Sequence, residues 1–467
     1  MNAIELFSKR TQEHPEKMAI ADIKHGILTF KQISDLSIQV QALMQEKHIQ
    51  KGDSVLVAVT PSPLLFGIIC GLLGLGIRVV FIEPWLSLDR INHVIKETSP
   101  KAFISGLMGK IWGIRSSAIR KIPHWISAAD IKKTKGTGFK VEELQGDHHA
   151  FVVFSSGTTG APKGVIRTHQ YMQNIYDTFT ELEPQKWNGP DFILFPNVAL
   201  FHLATGRGSV IIPQKWNKKN LRKVFELYDI FKPETLSTGP AFLKTLLDHD
   251  MIHRLKYLDR LVIGGALTDC WILEKYFEAF PNTKFLHIYG GSEAEPVALM
   301  DAKDAVKKSR ERGYFQTLCL GKTIPKINSK LKEEILWVSG PNVAGEYVGS
   351  KEENLGIKEM DATGILWHCM GDRVRMEDGY LWYMGRQTQS KDDFILEQTL
   401  YSEMQSSKSF LHRNEKEELT LFGEEVLKEK NRILKDHPEI KMIKDIKIKR
   451  DKRHRSRIDR QESLNNS

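Results

Sequence analysis

Short apolar runs alternate with helical patterns along most of the chain. Ser54-Val-Leu-Val-Ala-Val59, Arg78-Val-Val-Phe-Ile82, Phe151 to Phe154, Leu261-Val-Ile263 and Phe285-Leu-His-Ile288 are apolar without a polar face. That is the pattern of strands buried on both sides. Between such runs, Leu221 to Tyr228 and Phe242 to Asp248 repeat apolar residues at helical spacing. The alternation predicts an α/β architecture with largely parallel sheets. Leu64 to Ile77 is the most apolar stretch. It is shorter than the roughly 20 residues a bilayer span needs, and predicts a buried core helix. The polar segment Asp301 to Gly313 predicts a surface helix with loops. Glu334 to Ser339 resumes a strand pattern, and Asp378-Gly379 before Tyr380-Leu-Trp-Tyr383 predicts a hairpin turn. After Gly385-Arg386 the composition turns charged and polar with few strand signals. This predicts a domain boundary there, with domains 1–386 and 387–467 and no internal repeat.

Composition narrows the class. A chain of 467 residues exceeds one ordinary domain. Its 41% hydrophobic and 27% charged residues are those of a soluble globular protein. Cys70, Cys270, Cys319 and Cys369 lie far apart with no CxxC pair, which argues against a zinc site or disulfide framework and for a reducing cytoplasm. Met1 to Lys17 lacks a signal-peptide core. Charge is uneven: Lys441 to Arg460 holds ten Lys or Arg against three Asp, in a chain of net charge +9. No aromatic residue is interleaved there, which weighs against nucleic acid and for a solvated basic edge.

The chemistry concentrates in Phe154-Ser-Ser-Gly-Thr-Thr-Gly-Ala-Pro-Lys163-Gly164. An apolar strand empties into a loop of hydroxyls and glycines. Glycines let backbone N–H groups approach an anion, hydroxyls add donors, and Lys163 adds a mobile charge. The loop suits a triphosphate, but its glycine spacing is not that of a Walker loop. In length and order it resembles the phosphate loop of the adenylate-forming superfamily: acyl-CoA synthetases, luciferases and the adenylation domains of peptide synthetases. Further blocks follow in the family's order. Tyr289-Gly-Gly-Ser-Glu293 is similar to its Tyr-Gly-x-Thr-Glu motif, with Ser292 keeping the hydroxyl. Met370-Gly-Asp372 and Gly385-Arg386 are similar to its ribose-binding blocks. Gly264-Gly-Ala-Leu267 is similar to the loop along the adenine, and Leu200-Phe-His-Leu-Ala-Thr-Gly206 to the motif bordering the acid. A lone His among apolar residues is also the pattern of a packed core histidine. The resemblance covers Met1 to Arg386 nearly continuously. Glu293-Ala-Glu-Pro-Val297, Phe195 to Phe201 and the basic close Arg450 to Arg460 look nearest to olefin β-lactone synthetases and fatty-acyl-CoA-ligase-like relatives.

The resemblance implies a large N-terminal domain of two α/β sheet subdomains plus a distorted β-barrel subdomain, and a small mobile α+β C-terminal lid. It implies an ATP- and Mg²⁺-dependent ligase that adenylates a carboxylic acid, fatty or otherwise hydrophobic. Ser155, Ser156, Gly157, Thr158, Thr159, Gly160 and Lys163 would bind phosphates. Gly265, Ala266, Tyr289, Gly290 and Asp372 would hold the nucleoside, the Ser292 hydroxyl would lie near a phosphate, and Arg386 would reach the ribose or a phosphate. Glu293 and Thr159 would carry the metal, and Lys163, Glu293, His202 and Arg457 would act at the reacting atoms. The acceptor would be CoA, a carrier protein or an internal β-hydroxyl; a non-catalytic ATP-binding relative and a carrier-loading module are the alternatives. The chain departs from the family near its end. Arg457 stands where a lysine is usual, Thr388 sits at the hinge position, and the glycine-rich strand that lines the second-step site is hard to find in Gln387 to Phe410.

Overall fold

The computed structural model describes residues 1–82, 86–154, 164–183, 189–213, 215–312, 318–348, 356–406, 408–414, 416–450 and 458–465, without the side chains at 107, 108, 110 and 112. Three sheets organise these residues. The first runs in the order Tyr347–Val348, Gly164–Thr168, His149–Phe154, Arg78–Phe81, Ser54–Ala58, Ala102–Ser105, His124–Ser127. Its last five strands are parallel, as unbroken apolar runs require. Gly164–Thr168 turns back antiparallel on His149–Phe154, with Phe154 opposite Gly164. The phosphate-loop segment therefore joins two strands whose ends are paired.

In the second sheet, Lys284–Gly291, Arg260–Ile263, Thr235–Thr238, Asp191–Ile193, Ser209–Ile211 and Met18–Asp22 are parallel neighbours. Beyond Lys284–Gly291 the pairing becomes antiparallel through Ala294–Asp301, Cys319–Thr323, Tyr380–Arg386, Leu366–Glu377 and Ile335–Ser339. The expected barrel subdomain is corrected here. Among the described residues these strands do not close on themselves, because Ala294–Asp301 and Cys319–Thr323 splice them into the parallel sheet.

Leu64 to Ile77 contributes the buried helix Pro63–Gly74. It lies against the helix Phe30–Glu46, where a Cβ at Gly67 would meet Leu36 Cβ at 2.6 Å and one at Gly71 would meet the Ser37 carbonyl at 2.8 Å. Glycine here permits a close crossing of two helices rather than flexibility. Among the described residues no helix is long and apolar enough to cross a membrane. Asp301 to Gly313 contributes the helix Ala302–Glu311, with Ala302, Ala305, Val306 and Ser309 buried along one face. Past Arg386 the polar composition conceals real structure. The helix Lys391–Met404 packs on a sheet of Ser409–Arg413, Leu419–Gly423 and Ile440–Asp445 around Leu400, Leu411, Leu421, Val426, Ile433 and Ile443. The glycine-rich strand sought in Gln387 to Phe410 is a helix instead, capped by Ser390.

Candidate active site

Two strand ends build the floor of the site. Lys284–Gly291 carries Tyr289, and the hairpin Leu366–Glu377/Tyr380–Arg386 brings Asp372 opposite Arg386. The hairpin turns at Asp378 and Gly379, both left-handed, with φ of 51° and 75°. Tyr289 donates its hydroxyl proton to Asp372 Oδ2 at 2.6 Å. Arg386 Nη1 lies 3.0 Å from Asp372 Oδ1 and donates to the Met370 carbonyl at 3.1 Å. The contact with Oδ1 is an ion pair without hydrogen-bond alignment, so among the described residues Oδ1 receives no hydrogen bond. Burial, and then the Asp372 charge, push the Tyr289 hydroxyl well above its usual range. Burial alone would weaken the Arg386 charge, but Asp372 and the neighbouring Tyr383 and Tyr289 outweigh it and raise its affinity for the proton. The backbone N–H of Gln387 donates to the Gly371 carbonyl at 2.9 Å, so the chain leaves Arg386 tied to the turn that holds Asp372.

Above this floor opens a cleft of about 980 Å³. Gly265, Ala266 and Leu267 form one wall, following the strand Arg260–Ile263, with Gly265 left-handed at φ 81°. His287, Tyr289 and Gly290 lie below, and Thr388, Phe394, Tyr401, His412 and Arg460 close the far side. The cleft thus lies between the second sheet and the segment after Arg386.

The turn that carries Glu293 is held by residues remote in sequence. Arg167 donates from Nη2 and Nε to the Ser292 carbonyl at 2.9 and 3.2 Å, pairs with Glu295 at 3.6 Å and stacks over Tyr171. The Ala344 N–H donates to the Glu293 carbonyl at 2.7 Å, and the Tyr347 hydroxyl to Glu293 Oε1 at 3.3 Å. Behind them Lys358 donates to the Ala344 carbonyl and lies over the Tyr347 ring. Burial pulls its ammonium down to about 8, against the pull of Glu293 and Glu346. Sequence reasoning gave Arg167, Tyr347 and Lys358 no role in the site; the local signals were Arg167 in the strand after the loop and Tyr347 in Gly345-Glu-Tyr347, which matches the family segment before the ribose aspartate.

Of the site residues expected from sequence, Gly265, Ala266, Tyr289, Gly290, Asp372 and Arg386 line the one cleft. Ser292 and Glu293 lie in the turn that follows Gly290 and Gly291. Ser155, Ser156, Gly157, Thr158, Thr159, Gly160, Lys163 and Arg457 lie outside the described residues. His202 requires a correction. It is 3% exposed, its Nδ1 lies 2.8 Å from Ser209 Oγ, and its Nε2 lies 3.5 Å from Asp191 Oδ2. Both ring nitrogens are taken up inside the second sheet, and burial, helped by Arg207 and Arg260, keeps the ring neutral. It packs as a core histidine rather than bordering an acid.

Comparison with known proteins gives the family. Residues 7–348 match the family model described as AMP-binding enzyme. A peroxisomal OPC-8:0-CoA ligase 1 of Arabidopsis thaliana is 26% identical over 80% of this chain and 73% of its own length. An olefin beta-lactone synthetase of Xanthomonas campestris is 24% identical over 77% and 72%. The crystal structure of IdnL7 superposes over 97% of this chain and 96% of its own with a TM-score of 0.80 at 16% identity. The o-succinylbenzoate CoA synthetase of Bacillus subtilis in complex with its acyl-adenylate intermediate superposes over 90% and 87% with a TM-score of 0.75 at 16% identity. With most of its length matched to that family model, and its fold matched to solved members, the chain belongs to the AMP-binding enzyme family.

Proposed function

We propose that this protein activates a carboxylic acid, hydrophobic in its acyl part, by joining it to ATP as an acyl-adenylate. The observation that carries the reading is the Tyr289–Asp372–Arg386 group on the floor of the cleft. A buried carboxylate with one oxygen held by a phenol and the other without a hydrogen bond can still accept from a ribose hydroxyl. Tyr289 would present its ring to the purine while its hydroxyl orients Asp372. An oxygen of the acid attacks the α-phosphorus, the bond to the bridging oxygen breaks, and pyrophosphate leaves. The chain's part is positioning and neutralisation of charge.

Among the described residues no group of three or more ligating side chains could hold a metal. Glu293 fits a Mg²⁺ ion that takes most of its ligands from phosphates and water, as this ion prefers. Bound there with Thr159, the ion would neutralise phosphate charge. Arg167, Ala344 and Tyr347 fix the turn from which Glu293 reaches. Thr158, Thr159 and Lys163 would grip the β- and γ-phosphates, and Arg457 the new acyl phosphate. Residues 387–467 would act as a lid over the cleft.

For the second step the acceptor would be an internal β-hydroxyl, in line with the similarity to an olefin beta-lactone synthetase, with CoA or a carrier protein as the alternatives. The test is pyrophosphate release from ATP across a panel of carboxylates, with and without CoA. Release with a hydrophobic acid, independent of CoA, is expected. ATP binding without pyrophosphate release from any acid would show a non-catalytic nucleotide binder.

A further inference from the structure

A short segment ties the Glu293 turn to the strand that leaves the expected phosphate loop. Gly340 follows the strand Ile335–Ser339 of the second sheet, and Tyr347–Val348 is the edge strand of the first. Between them the chain runs along the Glu293 turn. The Glu295 N–H donates to the Asn342 carbonyl at 3.3 Å and the Ala344 N–H to the Glu293 carbonyl at 2.7 Å, with Ala294 and Val343 bridged antiparallel. Three residues on, Tyr347 pairs with Val165, and the Ile166 N–H donates to the Glu346 carbonyl at 3.1 Å. Residues 340–348 thus form a strap that fixes the Glu293 turn relative to Gly164–Thr168.

Lys358 fastens this strap. It opens the strand Lys358–Met360, opposite His368 on the strand that goes on to carry Asp372. Its ammonium donates to the Ala344 carbonyl and lies 5.3 Å from the centre of the Tyr347 ring. Ala344 holds the Glu293 carbonyl through its N–H, and Tyr347 holds Glu293 Oε1 through its hydroxyl at 3.3 Å. One cation therefore touches both strap residues that grip Glu293. Packing alone does not require it. Ile357 already lies against the apolar cluster of Val165, Tyr171, Ala344 and Tyr347. An ammonium sunk here and given to a backbone carbonyl is costly to desolvate, and an uncharged chain of the same length would fill the space at less cost.

We infer that Lys358 is a positioning residue for Glu293, fixing through Ala344 and Tyr347 where that carboxylate stands. The inference rests on the reading in which Glu293 holds the ion. Arg167 secures the turn on one side, through the Ser292 carbonyl, and Lys358 secures it on the other, through the strap. Without the ammonium, Ala344 and Tyr347 lose the contact that orients them. The Glu293 side chain then spreads over more rotamers and its affinity for the ion falls.

Mg²⁺ titration of the full chain tests this. K358M keeps the length of the side chain and removes its charge and donors. It should raise the Mg²⁺ concentration for half-maximal pyrophosphate release roughly tenfold, while the melting temperature of the nucleotide-free protein changes little. Lys358→Arg, which keeps charge and donors, should recover most of the loss, and Lys358→Gln, a neutral donor, should fall between. In an E293Q background K358M should cost less than about twofold further, because the group it positions is already gone. Calorimetry with α,β-methylene-ATP and no acid reads the same effect without turnover. K358M should weaken binding in Mg²⁺ and leave it unchanged in EDTA. The inference is overturned if K358M and Lys358→Gln leave the Mg²⁺ dependence at the wild-type value, or if K358M lowers the rate equally in both backgrounds. A fall in melting temperature at unchanged Mg²⁺ dependence overturns it too, and makes Lys358 a structural strut. If no acid yields pyrophosphate from the wild type, the acid-activation reading falls and the calorimetric arm alone decides Lys358. Wild-type binding of the analogue that is indifferent to Mg²⁺ overturns both.

Discussion

The cleft and the far edge of the first sheet break the same rule in opposite directions. At the cleft floor a carboxylate and a guanidinium are buried, whereas at the edge Ile111, Ile114 and Trp125 stand partly exposed. The cost of each is contained differently. Asp372 and Arg386 neutralise one another, and Tyr289 satisfies one carboxylate oxygen. Such a pair is weak as a source of stability, because desolvation consumes most of its Coulombic gain. It is strong as a means of holding a fixed charge where a ligand will arrive. The edge offers no comparable pairing of its apolar groups, and its exposed surface is stabilised only when covered.

Removing the buried charge should break the comparison most severely. Asp372→Ala deletes the ribose acceptor and leaves Arg386 uncompensated, and should lower acid-dependent pyrophosphate release by roughly 2–4 kcal/mol in transition-state terms, or about 30- to 900-fold. ATP turnover within a few-fold of wild type would remove Asp372 from the site. Glu293→Gln comes next. A neutral amide is a poorer ligand for a hard cation, and a loss of about 1.5–3 kcal/mol is expected, recovered in part at high Mg²⁺. A rate and Mg²⁺ dependence both unaltered would count against that role.

A third measurement sharpens the contrast between pairing and neutralisation. His287 lines the same cleft, but burial holds its ring near a pKa of about 4, below the ordinary imidazole value of 6.5. Its folded value is depressed, so its contribution to stability is fully present above pH 6.5 and is lost as pH falls toward 4. The slope is about 1.4 kcal/mol per pH unit for one ring. His169, held to about 3 by burial with help from His148 and the chain's amino terminus, adds in the same direction. Urea midpoints at pH 6.5 and 5 should show this loss, and His287→Leu should reduce the slope by about one ring's worth. An equal slope in the variant would mean that His287 is charged in the fold. The smallest effect is expected from Arg167→Lys, which keeps the charge but gives up the fork on the Ser292 carbonyl. A loss of about 1 kcal/mol in adenylation, with stability nearly unchanged, is the expected result.

Much of the cleft was legible in sequence because its residues sit at the ends of strands buried on both sides. Such strands are unbroken apolar runs, and the loops that end them carry glycine, hydroxyl and carboxylate in a fixed order. Lys284–Gly291 followed by Ser292-Glu293 is the clearest case. What sequence did not convey is pairing at a distance. Nothing local in Cys319–Thr323 says that it pairs with Ala294–Asp301 on one side and Tyr380–Arg386 on the other, so a continuous sheet was expected as a barrel. The clamp on Glu293 comes from residues 51 to 126 positions away, beyond any local pattern. The last sheet was hidden because only the side of Ile440–Asp445 carrying Ile440 and Ile443 is buried, leaving four exposed residues to read as loop. His202 shows the reverse error: a motif position was taken as chemical where the fold uses it for packing.

The hairpin turn at Asp378-Gly379 has a consequence for how this chain tolerates change. Asp372 meets Arg386 because the strands keep one register from the turn to Val374 and then shift it once, between Val374 and Asp372. Six residues separate Asp372 from the tip, roughly 20 Å of extended chain. A single residue inserted at that exposed tip would slide one strand past the other and turn alternate side chains to the opposite face. Length variation at a surface loop, ordinarily among the most forgiving changes a protein can undergo, would here act as an active-site lesion delivered from a distance.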